Sequence, residues 1–211
     1  MKIAVIGASG FTGRPVVDLA LSEGHTVYAV SRKGVFTEHK NLVIIHEDVN
    51  NVSSLLEKLK DVDVIISNYN AGWDNPNLYN DFIKGSESTI ELAKKLGKRI
   101  IIVGGASSLY DPSTQVQVYF TADEEFKKMV KGAFDLYNRL LPDHSFDWTF
   151  VSPPFELNEE KPNHNYNIGG DYVLFNSDNK STVSIHDLAH LLLTEATHGV
   201  NNHKRITLAD K

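Results

Sequence analysis

Short apolar runs alternate with helical patterns along the chain. KIAVIG (2–7) predicts a buried strand, and TGRPVVDLALSEG (12–24) predicts a helix ending at Gly24. HTVYAVSR (25–32) and NLVIIHEDV (41–49) predict the second and third strands. NVSSLLEKLKD (51–61) predicts a short helix capped by Asn51 or Ser53, and VDVIISNY (62–69) a fourth strand. A long helix covers residues 78–97 and stops at Gly97. KRIIIVGGAS (98–107) predicts a fifth strand, residues 121–141 a further helix before Pro142, and DWTFVSPP (147–154) a sixth strand. Strands that are apolar throughout, alternating with helices, imply an α/β chain with a doubly wound parallel sheet covered on both faces.

The pattern changes after Pro154. ELNEEKPNHNYNIGGD (156–171) is polar and turn-rich. YVLF (172–175) and STVS (181–184) flank NSDNK (176–180), which predicts a hairpin. SIHDLAHLLLTEATHG (184–199) predicts an amphipathic helix, and KRITL (204–208) a final strand. The expected organisation is one domain, with a core over 1–154 and a small C-terminal lobe over 155–203 on the substrate side.

The composition supports a globular chain of this size. Of 211 residues, 41% are hydrophobic and 23% charged, enough for one sizeable core. The net charge of -6 argues against nucleic-acid contact, which needs basic surface to neutralise phosphate. With no cysteine there is no thiolate nucleophile and no disulfide. Lys2 leads straight into a strand, so no signal peptide is expected, and no apolar run approaches the ~18 residues of a membrane helix. A cytoplasmic location without membrane contact is the expectation.

GASGFTG (7–13) follows the first strand and opens a helix, the setting a dinucleotide-binding motif needs. One glycine permits the tight turn, another lets backbone approach a pyrophosphate, and a third allows close helix–strand packing. The helix N-terminus then offers free N–H groups to the phosphates. Gly7, Ser9, Gly10, Phe11, Thr12 and Gly13 are the expected contacts, with hydroxyl donors from Ser9 and Thr12. Preference for NAD needs an acidic residue about 20 positions beyond the motif. Here VSRK supplies Ser31, Arg32 and Lys33 instead. A guanidinium fork suits a 2′-phosphate, so NADP(H) is expected over NAD(H). Asp48 and Val49, ending the third strand, are expected beside adenine. SNYNAG (67–72), with Asn68 and Tyr69, is expected at the nicotinamide ribose.

GASGFTG, SR after the second strand, DV after the third, IVGGASSL after the fifth, SPP after the sixth and SIHDLA near the end together resemble the atypical short-chain dehydrogenase/reductase superfamily. The closer resemblance is to its NmrA-like and biliverdin-reductase-B-like group, whose members are described as NADH-flavin reductases. The resemblance implies a Rossmann-type fold, NAD(P)H binding with Gly104 and Pro153 near the nicotinamide, and reduction of a flavin or similar conjugated acceptor. It also places an active-site serine near Ser107 and Ser108. The superfamily's Tyr-x-x-x-Lys pair has no counterpart: Tyr110, Tyr119 and Tyr137 are followed four places on by Thr114, Asp123 and Leu141. A simple carbonyl needs that proton donor. A conjugated acceptor spreads the incoming charge over its rings, so direct hydride transfer stands.

Ser107, Ser108 and Tyr119 are therefore the candidate catalytic residues, with Tyr110 and Trp73 as further walls for a planar ligand. His164 sits in the polar segment, a candidate lid. HDLAH (186–190) resembles a zinc motif, but Asp replaces its Glu and no third ligand is evident, so no metal is expected. EEFKKMVK (124–131) is expected to be a solvated helix face with Glu–Lys pairs. The expected partner is a small-molecule substrate, and the chain a monomer or homodimer. Two alternatives remain open: a dinucleotide sensor without turnover, and a sugar epimerase or dehydratase.

Overall fold

In the computed structural model, which describes residues 1–211, the chain begins with β1 (Lys2–Ile6), α1 (Gly13–Ser22), β2 (Thr26–Ser31) and β3 (Leu42–His46). It continues with α2 (Val52–Lys58), β4 (Val64–Ser67), α3 (Leu78–Leu96) and β5 (Arg99–Val103). A 3₁₀ turn (Ala106–Ser108), α4 (Val118–Thr121), α5 (Glu124–Leu140) and β6 (Trp148–Ser152) come next. The last part holds β7 (Glu156–Asn158), β8 (Tyr166–Gly169), β9 (Thr182–Ser184), α6 (Ile185–His198) and β10 (Lys204–Asp210).

Eight strands form one sheet in the order β3-β2-β1-β4-β5-β6-β10-β8. All neighbours are parallel except β8, which runs antiparallel to β10. The central strands β1, β4, β5 and β6 are largely apolar and buried because helices cover both faces, and their side chains alternate between two cores; β3 and β8 at the edges are largely exposed. Ile3, Val5 and Ile66 meet Val16, Val17, Leu188 and Leu192 of α1 and α6. Ala4, Ile6 and Ile65 turn the other way, toward Leu55, Leu92 and Leu136 of α2, α3 and α5. This Rossmann-type arrangement is the one the alternation predicts.

Local signals hold at several helix ends. Asn51 caps α2 by accepting from the Ser54 N–H, and Asp123 caps α5 by accepting from the Phe126 N–H. Gly97 ends α3 at φ +63.

The predicted hairpin over 172–184 does not form. Asn176 does close its turn, donating its N–H to the Lys180 carbonyl. But the Val173 N–H bonds the distant Tyr110 carbonyl, and β9 pairs in parallel with β7, Glu156 opposite Thr182. Distant backbone partners took the bonds a local hairpin would have used.

Candidate active site

The strand order reverses between β1 and β4, and the crevice at their carboxyl ends is where open α/β sheets take ligands. Gly7 leaves β1 with φ +73, and a Cβ there would lie 2.4 Å from the Asn68 carbonyl oxygen that follows β4. A Cβ on Gly13 would lie 2.2 Å from the Gly7 carbonyl oxygen. Both positions therefore demand glycine. The N–H groups of Phe11, Thr12 and Gly13 find no acceptor within the chain. They lie at the start of α1, where unsatisfied donors and the helix dipole favour an anion. The motif fits a dinucleotide pyrophosphate.

Two cavities meet at this point. The first, of about 320 Å³, is walled by Gly7, Gly10, Ser31, Arg32, Asp48 and Val49. The second, of about 400 Å³, takes in Phe11, Thr12, Gly104 and Pro153, with Leu78, Tyr79 and Phe82 of α3 and Met129 and Gly132 of α5. Gly10, Asn68, Tyr69 and Asn70 line both. The Asn68 amide is buried, and neither its oxygen nor its nitrogen has a partner. A buried amide without partners is costly unless a ligand supplies them. Tyr69 donates its hydroxyl to the Asp81 carbonyl at 2.9 Å, and burial pushes the phenol pKa up, so it stays protonated.

The structure thus brings most of the sequence-read cofactor residues onto one continuous groove. Ser9, Gly13 and Lys33 lie outside its walls; Gly13 acts instead through helix–strand contact. The candidate catalytic residues are not on the groove. Ser107 and Ser108 are buried in the 3₁₀ turn behind Gly105, with hydroxyls that find no partner. Tyr119 stacks on Phe134 at 4.2 Å between centroids, and Tyr110 packs against Tyr172. Trp73 does line the second cavity and is exposed.

The polar segment is not a lid over this groove. Asp187, fully buried at the start of α6, accepts from the Asn163 and His164 N–H groups and holds that stretch at the far face. Of residues 155–203, Leu157 reaches the second cavity. His190 bonds the Tyr166 hydroxyl while His186 is exposed beside Pro162, so the two histidines face different neighbours. No cluster of three or more His, Asp or Glu side chains could hold a metal. EEFKKMVK is solvated only in part. Lys127 pairs with Glu124 at 2.9 Å, while half-buried Val130 and the still exposed Met129 line the cavity.

Sequence reasoning missed the α3 and α5 walls. One signal was available: Gly132 inside a helix, an expensive residue there. A Cβ at that position would lie 2.7 Å from the Phe82 ring.

Glu47 frames the first cavity from the β3 exit. It accepts from the Ser54 hydroxyl at 2.6 Å and from Lys58 at 2.9 Å, which together hold its pKa down at about 2. A depressed carboxylate contributes stability above its unfolded pKa and loses it as pH falls through the folded value. Glu47→Gln is expected to melt below the parent at pH 7. The gap should close between the unfolded value of 4.5 and about 2, as thermal melts across pH would read.

Groove, glycine cradle and strand order define a dinucleotide-binding protein of oxidoreductase fold. The family model for NAD(P)H-binding domains matches residues 7–199, and the chain belongs to that family. The Bacillus subtilis protein YwnB is 27% identical over 215 residues, covering 100% of this chain and 99% of its own. A Streptococcus pneumoniae structure described as a candidate NADH-flavin reductase superposes with a TM-score of 0.84 at 31% identity, covering 100% of both chains. A Bacteroides thetaiotaomicron structure described as a candidate epimerase superposes at 0.89 with 29% identity, covering 99% of this chain and 96% of that one. No helix is long and apolar enough to cross a membrane.

Proposed function

We propose that the protein is an NADPH-preferring reductase of a flavin or similar planar conjugated acceptor. The carrying observation is the second cavity: a largely apolar slot that opens directly onto the Gly10–Asn68 junction. Bound NADPH supplies a hydride from nicotinamide C4. The chain's own residues position and exclude water. The free N–H groups of Phe11, Thr12 and Gly13 bind the pyrophosphate, and Arg32 takes the 2′-phosphate. Asp48 and Val49 bound the adenine. The unpartnered Asn68 amide orients the nicotinamide half, and Gly104 and Pro153 form its floor. Leu78, Phe82 and Met129 keep the acceptor face dry. The chain has no Tyr-x-x-x-Lys sequence, and the slot's own tyrosines give their hydroxyls elsewhere, Tyr79 to Asp135 and Tyr69 to the Asp81 carbonyl; this suits an acceptor whose rings absorb the charge and disfavours an epimerase.

The test follows NADPH and NADH oxidation with and without FMN, FAD or riboflavin, in the parent and in Arg32→Glu. Flavin-dependent turnover that prefers NADPH is expected. In the variant the NADPH-to-NADH ratio of kcat/KM should fall at least about tenfold, the size of one charge-assisted hydrogen bond. Tight cofactor binding without turnover on any flavin would support a sensor instead. That second reading has one observation in its favour: Phe155 and Phe175 form an exposed aromatic pair, 6.3 Å between centroids, on the C-terminal segment.

A further inference from the structure

A third cavity, of about 360 Å³, adjoins the acceptor slot and shares Trp73, Leu78, Tyr79 and Met129 with it. Its remaining walls are Asn75, Pro76, Lys128 and Lys131. Two cations line it and no carboxylate does, on a chain whose net charge is -6. The two lysines differ. Lys131 is tied to Asp135, which also accepts the Tyr79 hydroxyl at 2.8 Å, and its ammonium lies 4.9 Å from the Tyr79 ring centroid. Asp135 thus holds both Tyr79 and Lys131 as fixed walls. The neighbouring Lys127 is engaged by Glu124. The Lys128 ammonium has no ion pair and no hydrogen-bond partner, and it is exposed at the outer rim.

The slot is continuous with this third cavity, so a planar acceptor stacked toward the Gly104 and Pro153 floor can extend outward between Trp73 and Met129, past Lys128. We propose that the acceptor carries an anionic substituent of the phosphate or carboxylate class, which leaves the slot through this mouth and is held by Lys128. Lys128 is then a specificity-determining residue, and this assignment rests on the reductase reading above. An acidic chain repels an anion at long range, so a local cationic mouth selects the acceptor's tail rather than merely drawing in any anion. The contact is solvent-exposed, so added salt weakens it.

The test compares FMN with riboflavin, which share the ring system and differ in the phosphate. Steady-state rates with NADPH are taken at low and at high salt. The KM for FMN is expected about fivefold below that for riboflavin at low salt, the scale of one exposed charge pair, and the two should converge at high salt. Lys128→Glu should erase the preference. Lys98→Glu makes the same charge change before β5, at the opposite end of the sheet, and should keep it. Equal KM values in the parent, or a preference that survives Lys128→Glu, would overturn the assignment. The same ligands are also titrated against the NADP⁺-loaded chain by quenching of the exposed Trp73. If no flavin turns over, the reductase reading fails, and this binding comparison still decides the role of Lys128: equal affinities overturn it.

Discussion

A Gly7→Ala chain is expected to bind NADPH at least about thirtyfold more weakly than the parent, a loss of about 2 kcal/mol, by titration of nicotinamide fluorescence. Two costs coincide at this residue. Alanine at φ +73 is strained by about 1–2 kcal/mol. Its Cβ must also displace the Asn68 backbone, whose carbonyl oxygen would lie 2.4 Å away. Asn68 lines both halves of the groove, so moving it opens the cofactor site as well as straining the turn. Gly24 separates the two costs. It has φ +81, and a Cβ there would meet nothing within 4 Å, so Gly24→Ala meets the backbone strain alone. The expected outcome is a lowered melting temperature in both variants, with weakened NADPH binding in Gly7→Ala only. Unchanged binding in Gly7→Ala would show that the cradle is a structural turn.

The largest effect on stability is expected at Glu195. This α6 residue is buried, and its carboxylate pairs with Arg99 of β5. It also accepts from the Asn201 N–H at 3.2 Å and from the Asn201 side chain at 2.8 Å. Arg99 in turn donates to the Thr149 hydroxyl of β6 at 2.7 Å and to the Glu195 and Gly199 carbonyls. The network fastens the end of α6 across two strands. Removing one member of a buried pair leaves the other charge uncompensated. Glu195→Leu is therefore expected to cost about 3–5 kcal/mol. For a chain of this length that is roughly 10 °C in Tm. Arg99→Met/Glu195→Leu should recover part of the loss, because no unpaired charge remains. Strictly additive effects in thermal or denaturant melts would mean that the two side chains are not energetically coupled.

The fold was legible because its central strands are buried on both faces. Ile3 and Val5 serve one core while Ala4 and Ile6 serve the other, so the strands appear as unbroken apolar runs. The glycine-motif half of the groove was legible for a related reason. Turn, glycine and helix start are adjacent in sequence, so their chemistry is local. The half walled by α3 and α5 is assembled from residues far apart. Phe82 of α3 and Gly132 of α5 meet only in the folded state, and helical periodicity marks an inward face without saying whether it meets core or cavity. The failed hairpin has the same cause: the Tyr110 carbonyl that captures the Val173 N–H lies far back in the chain. Ser107 and Ser108 stand at the correct end of β5, but the 3₁₀ turn rolls their hydroxyls inward behind Gly105.

The position of β10 bears on how the chain assembles. Strands β1 to β6 each find a sheet neighbour among segments made before or soon after them. β8 does not: its only partner in the sheet is β10, which lies between it and β6 and is synthesised later. Until residues 204–210 emerge, β6 is a bare parallel edge and β8 a strand without a ladder. On a ribosome making about 5–20 residues per second, that edge stays open while α6 is still being produced. Arg205, buried in β10 and bonded to the Ser108 carbonyl and to Asp171, then locks the β5 exit and the C-terminal segment together. The strand that joins β8 to the rest of the sheet is thus made after both of its neighbours.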